Sequence, residues 1–233
     1  MVRRVSAVVS VVVAGVAVGA VPAGAAAVKA RVSAAPETVR LVAAATAPLT
    51  VQADYGTCME HALVEIESAG GEGYDYQDLP GNAEGRFTAT FALTNDEVRG
   101  VWDVTVSGSD CATGRLVTQR KAATVQVKRD TRITGFDASP EPAAKGTPVA
   151  LKGVLTRLDP WANTYVPYQN AKVRFEFRGT GGAWTPMGTA VTAKDGTFAG
   201  SVPAEGAGVW RAVFPGTAAH APATAPGDTV ALG

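Results

Sequence analysis

The side chains whose types could do chemistry fall into four small sets: two cysteines, two histidines, one acidic run and two groups of aromatics. Cys58 and Cys111 are the only cysteines. In an oxidising compartment they are expected to join as one disulfide, and closing a loop of that length stabilises a fold by about 4 kcal/mol in the chain-entropy account. The competing use of the thiols is a metal site. Zinc needs more ligands than this chain gathers, because His61, three residues after Cys58, is the one histidine nearby.

The run 70–85 collects Glu72, Asp75, Asp78, Asn82 and Glu84, oxygen ligands of the kind calcium takes. They do not follow the spacing of a helix–loop–helix calcium site, and acidic turns are ordinarily just solvated. The reading is therefore no metal and no cofactor, with Glu72, Asp75 and Asp78 as the ligands that calcium would use. Catalysis lacks its usual signs, since there is no nucleophile elbow, phosphate-binding loop or paired-histidine zinc motif. His61 and His220 are the only imidazole bases, and neither stands near a recognisable nucleophile motif. No catalytic residue is assigned, and the chain is expected not to be an enzyme.

Aromatic rings remain. Tyr74 and Tyr76 lie in the acidic run, and Trp161, Tyr165 and Tyr168 lie in the run 159–168. Exposed Trp and Tyr give rigid, amphipathic contact area, so these three of the second run are the candidate binding residues. The bland alternative is that Trp161 and Tyr168 close the end of a core.

Composition sets the compartment and the class. Lys plus Arg number 21 and Asp plus Glu 21, hydrophobic residues make up 46% and charged residues 18%. Disordered chains and nucleic-acid binders are both excluded by that balance. Arg3 and Arg4 precede an apolar stretch of Val, Ala and Gly that closes on small residues, Ala25 and Ala27 among them. This is the tripartite layout of a signal peptide over residues 1–27, cut before Val28. With no Cys at the cut and no apolar tail, the mature protein is expected to be secreted and extracellular, free of the membrane after cleavage and without nucleic acid as a partner.

Elements to position the candidates are legible as short runs of period two, at 49–55, 61–67, 86–93, 101–106 and 123–128. In 61–67 the residues Ala62, Val64 and Ile66 share one face. After the charged joint 128–132 the pattern restarts at 132–137, then 149–156, 172–178, 188–193, 197–202, 208–214 and 228–232. Glycine-rich breaks, without room for crossover helices, point to antiparallel sheets. Trp102 and Trp210, each following Gly-Val, are assigned to cores. The expected fold is all-β, with two tandem immunoglobulin-like β-sandwich domains over residues 28–128, with the disulfide, and 129–233.

The second of these carries a resemblance. The run from Arg129 to Pro142, then Lys145-Gly146, residues 153–157, Trp161, Tyr168, residues 172–175, Gly196, residues 208–210 and 214–216, and residues 224–230 resemble a C-terminal bacterial immunoglobulin-like module common in secreted actinobacterial proteins of unassigned function. The resemblance spans about residues 129–233 and implies a fold; it transfers no catalytic residues. The functional expectation is a non-enzymatic binding or cell-surface interaction protein acting on a protein or polysaccharide outside the cell. Two alternatives stand beside it. One is a carbohydrate-binding accessory protein, for which the three rings of run 159–168 must line up. The other is a secreted protease inhibitor presenting the turn at Cys111.

Overall fold

The computed structural model describes residues 28–233, which form strands and turns with no helix among the described residues. The expected signal segment lies outside the described residues. Strands β1 (Arg31–Ala35), β3 (Ala47–Asp54) and β6 (Arg86–Leu93) make one sheet. Facing it are β2 (Thr38–Leu41), β8 (Leu116–Arg129), β7 (Gly100–Asp110), β4 (Met59–Ser68) and β5 (Tyr74–Asn82), in that spatial order. All neighbours run antiparallel except β2, which lies parallel to β8.

Period-two patterning decides which face each strand buries. In β6 the residues Phe87, Ala89, Phe91 and Leu93 are buried while Arg86, Thr88, Thr90 and Ala92 are exposed. In β4 the residues Ala62, Val64 and Ile66 are buried against them. Trp102 on β7 is fully buried, and its indole N–H donates to the Val98 carbonyl at 2.8 Å. The turn into β5 passes directly over that ring: a Cβ at Gly73 would lie 2.7 Å from it, so only glycine fits there.

Sequence periodicity alone leaves 70–85 as an acidic loop, and the structure corrects this. Residues 74–82 are β5, the edge strand paired along β4. Asp75 stands opposite Ile66 and Asp78 opposite Leu63, three residues apart in a strand, so the two carboxylates point to opposite faces. Glu72 stays in the preceding turn. No group of three or more His, Cys, Asp or Glu among the described residues is placed to hold a metal ion, and the candidates Glu72, Asp75 and Asp78 do not converge. The period was hidden because both faces of this edge strand meet solvent for most of its length.

In the second sandwich, β9 (Thr131–Ser139), β10 (Pro148–Asp159), β11 (Thr164–Pro167) and β14 (Thr197–Pro203) form one sheet. The other contains β12 (Lys172–Gly179), β13 (Thr185–Val191), β15 (Gly208–Phe214), β16 (Ala223–Thr224) and β17 (Asp228–Val230). Val173, Phe175 and Phe177 of β12 enter a core shared with Phe198 and Trp210. Gly200 gives Phe175 its room, since a Cβ there would come within 2.4 Å of the ring.

The outer face of β12 is covered more than its charges suggest. Glu176 is only 5% exposed, bonded by Arg174 and Arg211 at 2.8 Å each. Burial by itself would raise its pKa, and the two guanidinium groups, Arg211 foremost, bring it below the usual carboxylate range. Trp184 lies alongside, with the Arg211 guanidinium 3.8 Å and that of Arg178 4.6 Å from its ring centroid.

Candidate functional site

The joint between the sandwiches is where the sequence candidates meet. β8 ends at Arg129 and β9 starts at Thr131, so the charged joint is a single residue, Asp130, in a strand that passes from one sheet to the next. The Leu158 N–H donates to the Asp130 carbonyl at 2.9 Å, and the Asp130 N–H donates to that of Leu41 at the same distance. Residues of both sandwiches thus hold the pivot. Leu158, on β10, is 1% exposed and belongs to the first sandwich's core.

Alternation along this strand sends Asp130 and Arg129 to opposite sides. Asp130 is 4% exposed and its carboxylate accepts from Arg40 of β2, from the Tyr165 hydroxyl, and from Arg132 at 3.4 Å. The Arg132 guanidinium also lies 3.7 Å above the Tyr165 ring. Arg129 turns the other way, toward the segment 216–221. Its N–H donates to the Ala219 carbonyl at 3.1 Å and its own carbonyl accepts from Ala221 at 2.8 Å. That segment turns sharply at Gly216, with φ of 83°, where a Cβ would meet the His220 carbonyl at 2.9 Å.

His220 is therefore interior, 5% exposed, although the sequence around it reads as a Pro/Ala-rich loop. Its Nδ1 lies 3.2 Å from the Tyr168 hydroxyl, and the two rings are 4.8 Å apart. Burial and then the positive charges of Arg157, Arg99 and Arg129 push its pKa down to about 4. The sign follows from proton counting. Between pH 6.5 and about 4 the unfolded chain takes up a proton that the folded one refuses, so this contribution to stability is whole above pH 6.5 and declines as the pH falls through that window. The imidazole resonances of His220 are expected not to titrate between pH 5.5 and 8; an ordinary midpoint near 6.5 would show the ring to be solvated.

The three aromatic candidates separate here. Trp161 is 95% exposed. Tyr165 packs against the first core with its hydroxyl on Asp130, and Tyr168 packs against the second core, edge-on to Phe214 at 5.4 Å. The rings do not form one platform, and the arrangement needed for the carbohydrate alternative is absent.

Trp161 sits at the tip of the turn between β10 and β11. Asp159 Oδ1 accepts the N–H groups of Trp161 at 2.9 Å and Ala162 at 3.0 Å, a side-chain-capped turn of the kind aspartate favours. Two loops of the first sandwich brace it from outside. Asn163 Oδ1 accepts from the Ala44 N–H at 2.8 Å, and the Asn95 amide donates to the Pro160 carbonyl at 3.1 Å. Sequence reading located Trp161 and missed the braces, since both lie far away in the chain. The signal it did carry for this site was the charged run 128–132.

The remaining candidates are away from the joint. Cys58 and Cys111 form a disulfide with Cα atoms 5.5 Å apart. The adjoining turn is held by Asp110, whose carboxylate accepts from the Thr113 hydroxyl, the Thr113 N–H and the Ala112 N–H, in that order lowering its pKa. Tyr74 and Tyr76 are exposed on the edge strand with ring centroids 6.0 Å apart.

No family model matches the chain, and no curated protein does. Among solved structures it is similar to a tetra-tandem repeat in the extending region of a large adhesion protein, at 16% identity and a TM-score of 0.31 over 87% of this chain and 49% of that one. The chain spans about half the length of that structure.

Proposed function

We propose that the protein is a non-enzymatic binding module, two immunoglobulin-like sandwiches joined into one unit, which works outside the cell and makes contact through Trp161. One observation carries this reading. A tryptophan that is 95% exposed stands on a turn fixed by an aspartate cap and by hydrogen bonds from two separate loops. Leaving a large apolar ring in water costs free energy, and holding its loop rigid removes ordering entropy from a later encounter. The disulfide supports an oxidising setting.

Changing Trp161 to Ala is expected to weaken binding by about 2 kcal/mol or more, the usual threshold for a hot spot, and to leave the melting temperature unchanged. The measurement is capture of partners from culture supernatant, cell wall and insoluble polysaccharide by the wild-type and variant chains in parallel. Equal capture by both would remove Trp161 from the contact; unfolding of the variant would make its ring a structural part of the joint.

A further inference from the structure

We infer that the chain docks to a second copy of itself, the acidic face of β4 and β5 in one copy receiving the basic face of β12 and β15 in the other. The whole chain is neutral, with 21 Lys plus Arg and 21 Asp plus Glu, but these strands sort the charges between the two sandwiches. β4 and β5 carry Glu60, Glu65, Glu67, Asp75 and Asp78 and no Lys or Arg. β12, β13, β15 and β16 carry Lys172, Arg174, Arg178 and Arg211, with Glu176 as their single acid.

Strand register lays out the acidic face. Ala62, Val64 and Ile66 of β4 enter the core, so Glu65 and Glu67 point outward, opposite Tyr76 and Tyr74 of β5, and Asp78 follows on the same side. Tyr74 is 50% and Tyr76 56% exposed, and the Tyr74 hydroxyl donates to Glu65 at 2.7 Å. Among the described residues, none of Glu65, Glu67 and Asp78 is in an ion pair, whereas Asp103 on the neighbouring β7 is taken by Lys121 at 2.9 Å. The edge of β5 is poorly suited to adding a strand, since Pro80 has no N–H and Asp75 Oδ1 accepts that of Tyr76 at 2.8 Å. The face is what β5 offers a partner.

On the basic face Glu176 is buried beneath Arg174 and Arg211, which both bond it. Lys172 and Arg178 are exposed and, among the described residues, neither is in an ion pair. Trp184, half-buried, lies against Arg178 and Arg211. From Lys172 to Arg178 this strip runs about 20 Å along its strand, and from Tyr74 to Asp78 the acidic strip runs about 13 Å. Complementary potentials over such patches steer association and set its register. A guanidinium that meets a carboxylate beside a tyrosine ring gains a charge-assisted bond and a cation–π contact together. A second copy is the favoured occupant because every chain brings the complementary face with it. The two faces being unlike, the contact is head-to-tail, and it closes into a ring or runs on as an open chain.

This contact goes beyond the one proposed for Trp161 and does not depend on it. Its test is sedimentation velocity of residues 28–233 over a range of concentrations, at low salt and at about 0.5 M salt. The wild-type chain is expected to associate reversibly, with a dissociation constant at least tenfold higher at the higher salt, and Trp161→Ala to match it. Two charge-reversed variants, Glu67→Lys/Asp78→Lys and Lys172→Glu/Arg178→Glu, change exposed positions only. Each alone is expected to stay monomeric where the wild type associates, with its melting temperature unchanged. An equal mixture of the two is expected to associate again, since the first keeps the basic face and the second the acidic one. Tyr76→Ala, with association at least tenfold weaker, decides the matter if a reversed variant fails to fold. A wild-type chain that stays monomeric, whether or not it binds polylysine, overturns the inference. So does wild-type association in either reversed variant, or none in the mixture of folded variants.

Discussion

Reducing the bond between Cys58 and Cys111 is expected to lower the stability of the first sandwich by about 4 kcal/mol. The bond ties the chain just before β4 to the chain just after β7, 53 residues apart in sequence, and opening it returns that loop's freedom to the unfolded state. The Cys111 N–H also donates to the Cys58 carbonyl at 3.1 Å, so the strand ends lose their clamp together. Hydrogen exchange is the measurement. Amides of β4 and β7 should lose about a thousandfold in protection, the equivalent of 4 kcal/mol. Strands β12 and β15 should change little, whereas residues 157–159 at the end of β10 should follow the first sandwich, because Leu158 is buried there. Unchanged protection at β4 after reduction, or two reactive thiols in the unfolded, unreduced protein, would refute the claim.

Trp210→Ala is the counterpart in the second sandwich, with an expected loss of about 4 kcal/mol and a melting temperature lower by roughly 20 °C. The ring is fully buried, stands opposite Phe177 across the β12–β15 pair and lies 4.8 Å from that ring. Removing it empties the centre of the core, and rigid sheets collapse only partly around such a hole. Its indole nitrogen has no hydrogen-bond partner, so Trp210→Phe should recover much of the loss. Trp102→Phe should cost more, since it also removes a bond to Val98 and leaves a carbonyl unmatched. Calorimetry of the three variants checks the order, and Trp210→Phe proving costlier than Trp102→Phe would show that volume outweighs the hydrogen bond.

Neither core needed the structure to be found. Ala62, Val64 and Ile66 were read as sharing one face and are buried, because burial in a half-covered strand is written directly in its period, and Phe87 to Leu93 and Val173 to Phe177 alternate in the same way. Trp102 and Trp210 were assigned to cores on the same grounds and are fully buried. β5 escaped because an edge strand has no single buried face to enforce a period, and β11 and β16, of 4 and 2 residues, are too short to show one.

What local sequence determined, then, was the all-β class, most strand positions, the inward residues of each and the presence of a charged run at 128–132. What it could not hold is anything that depends on residues meeting across the fold. Asp130 is flanked by arginine on both sides in sequence, yet it is matched by Arg40, Arg132 and Tyr165 while Arg129 faces away from it. Leu158 reads as a residue of the second sandwich and is buried in the first. Tyr165, Tyr168 and Trp161 share one short run but differ in exposure, because the first core takes Tyr165 and the second core with His220 takes Tyr168, while two loops from the first sandwich hold the turn around Trp161 and leave its ring in water. Alternation is a property of neighbours along a strand and can be read from them; coverage is a property of whatever packs on top, and only the tertiary structure decides that.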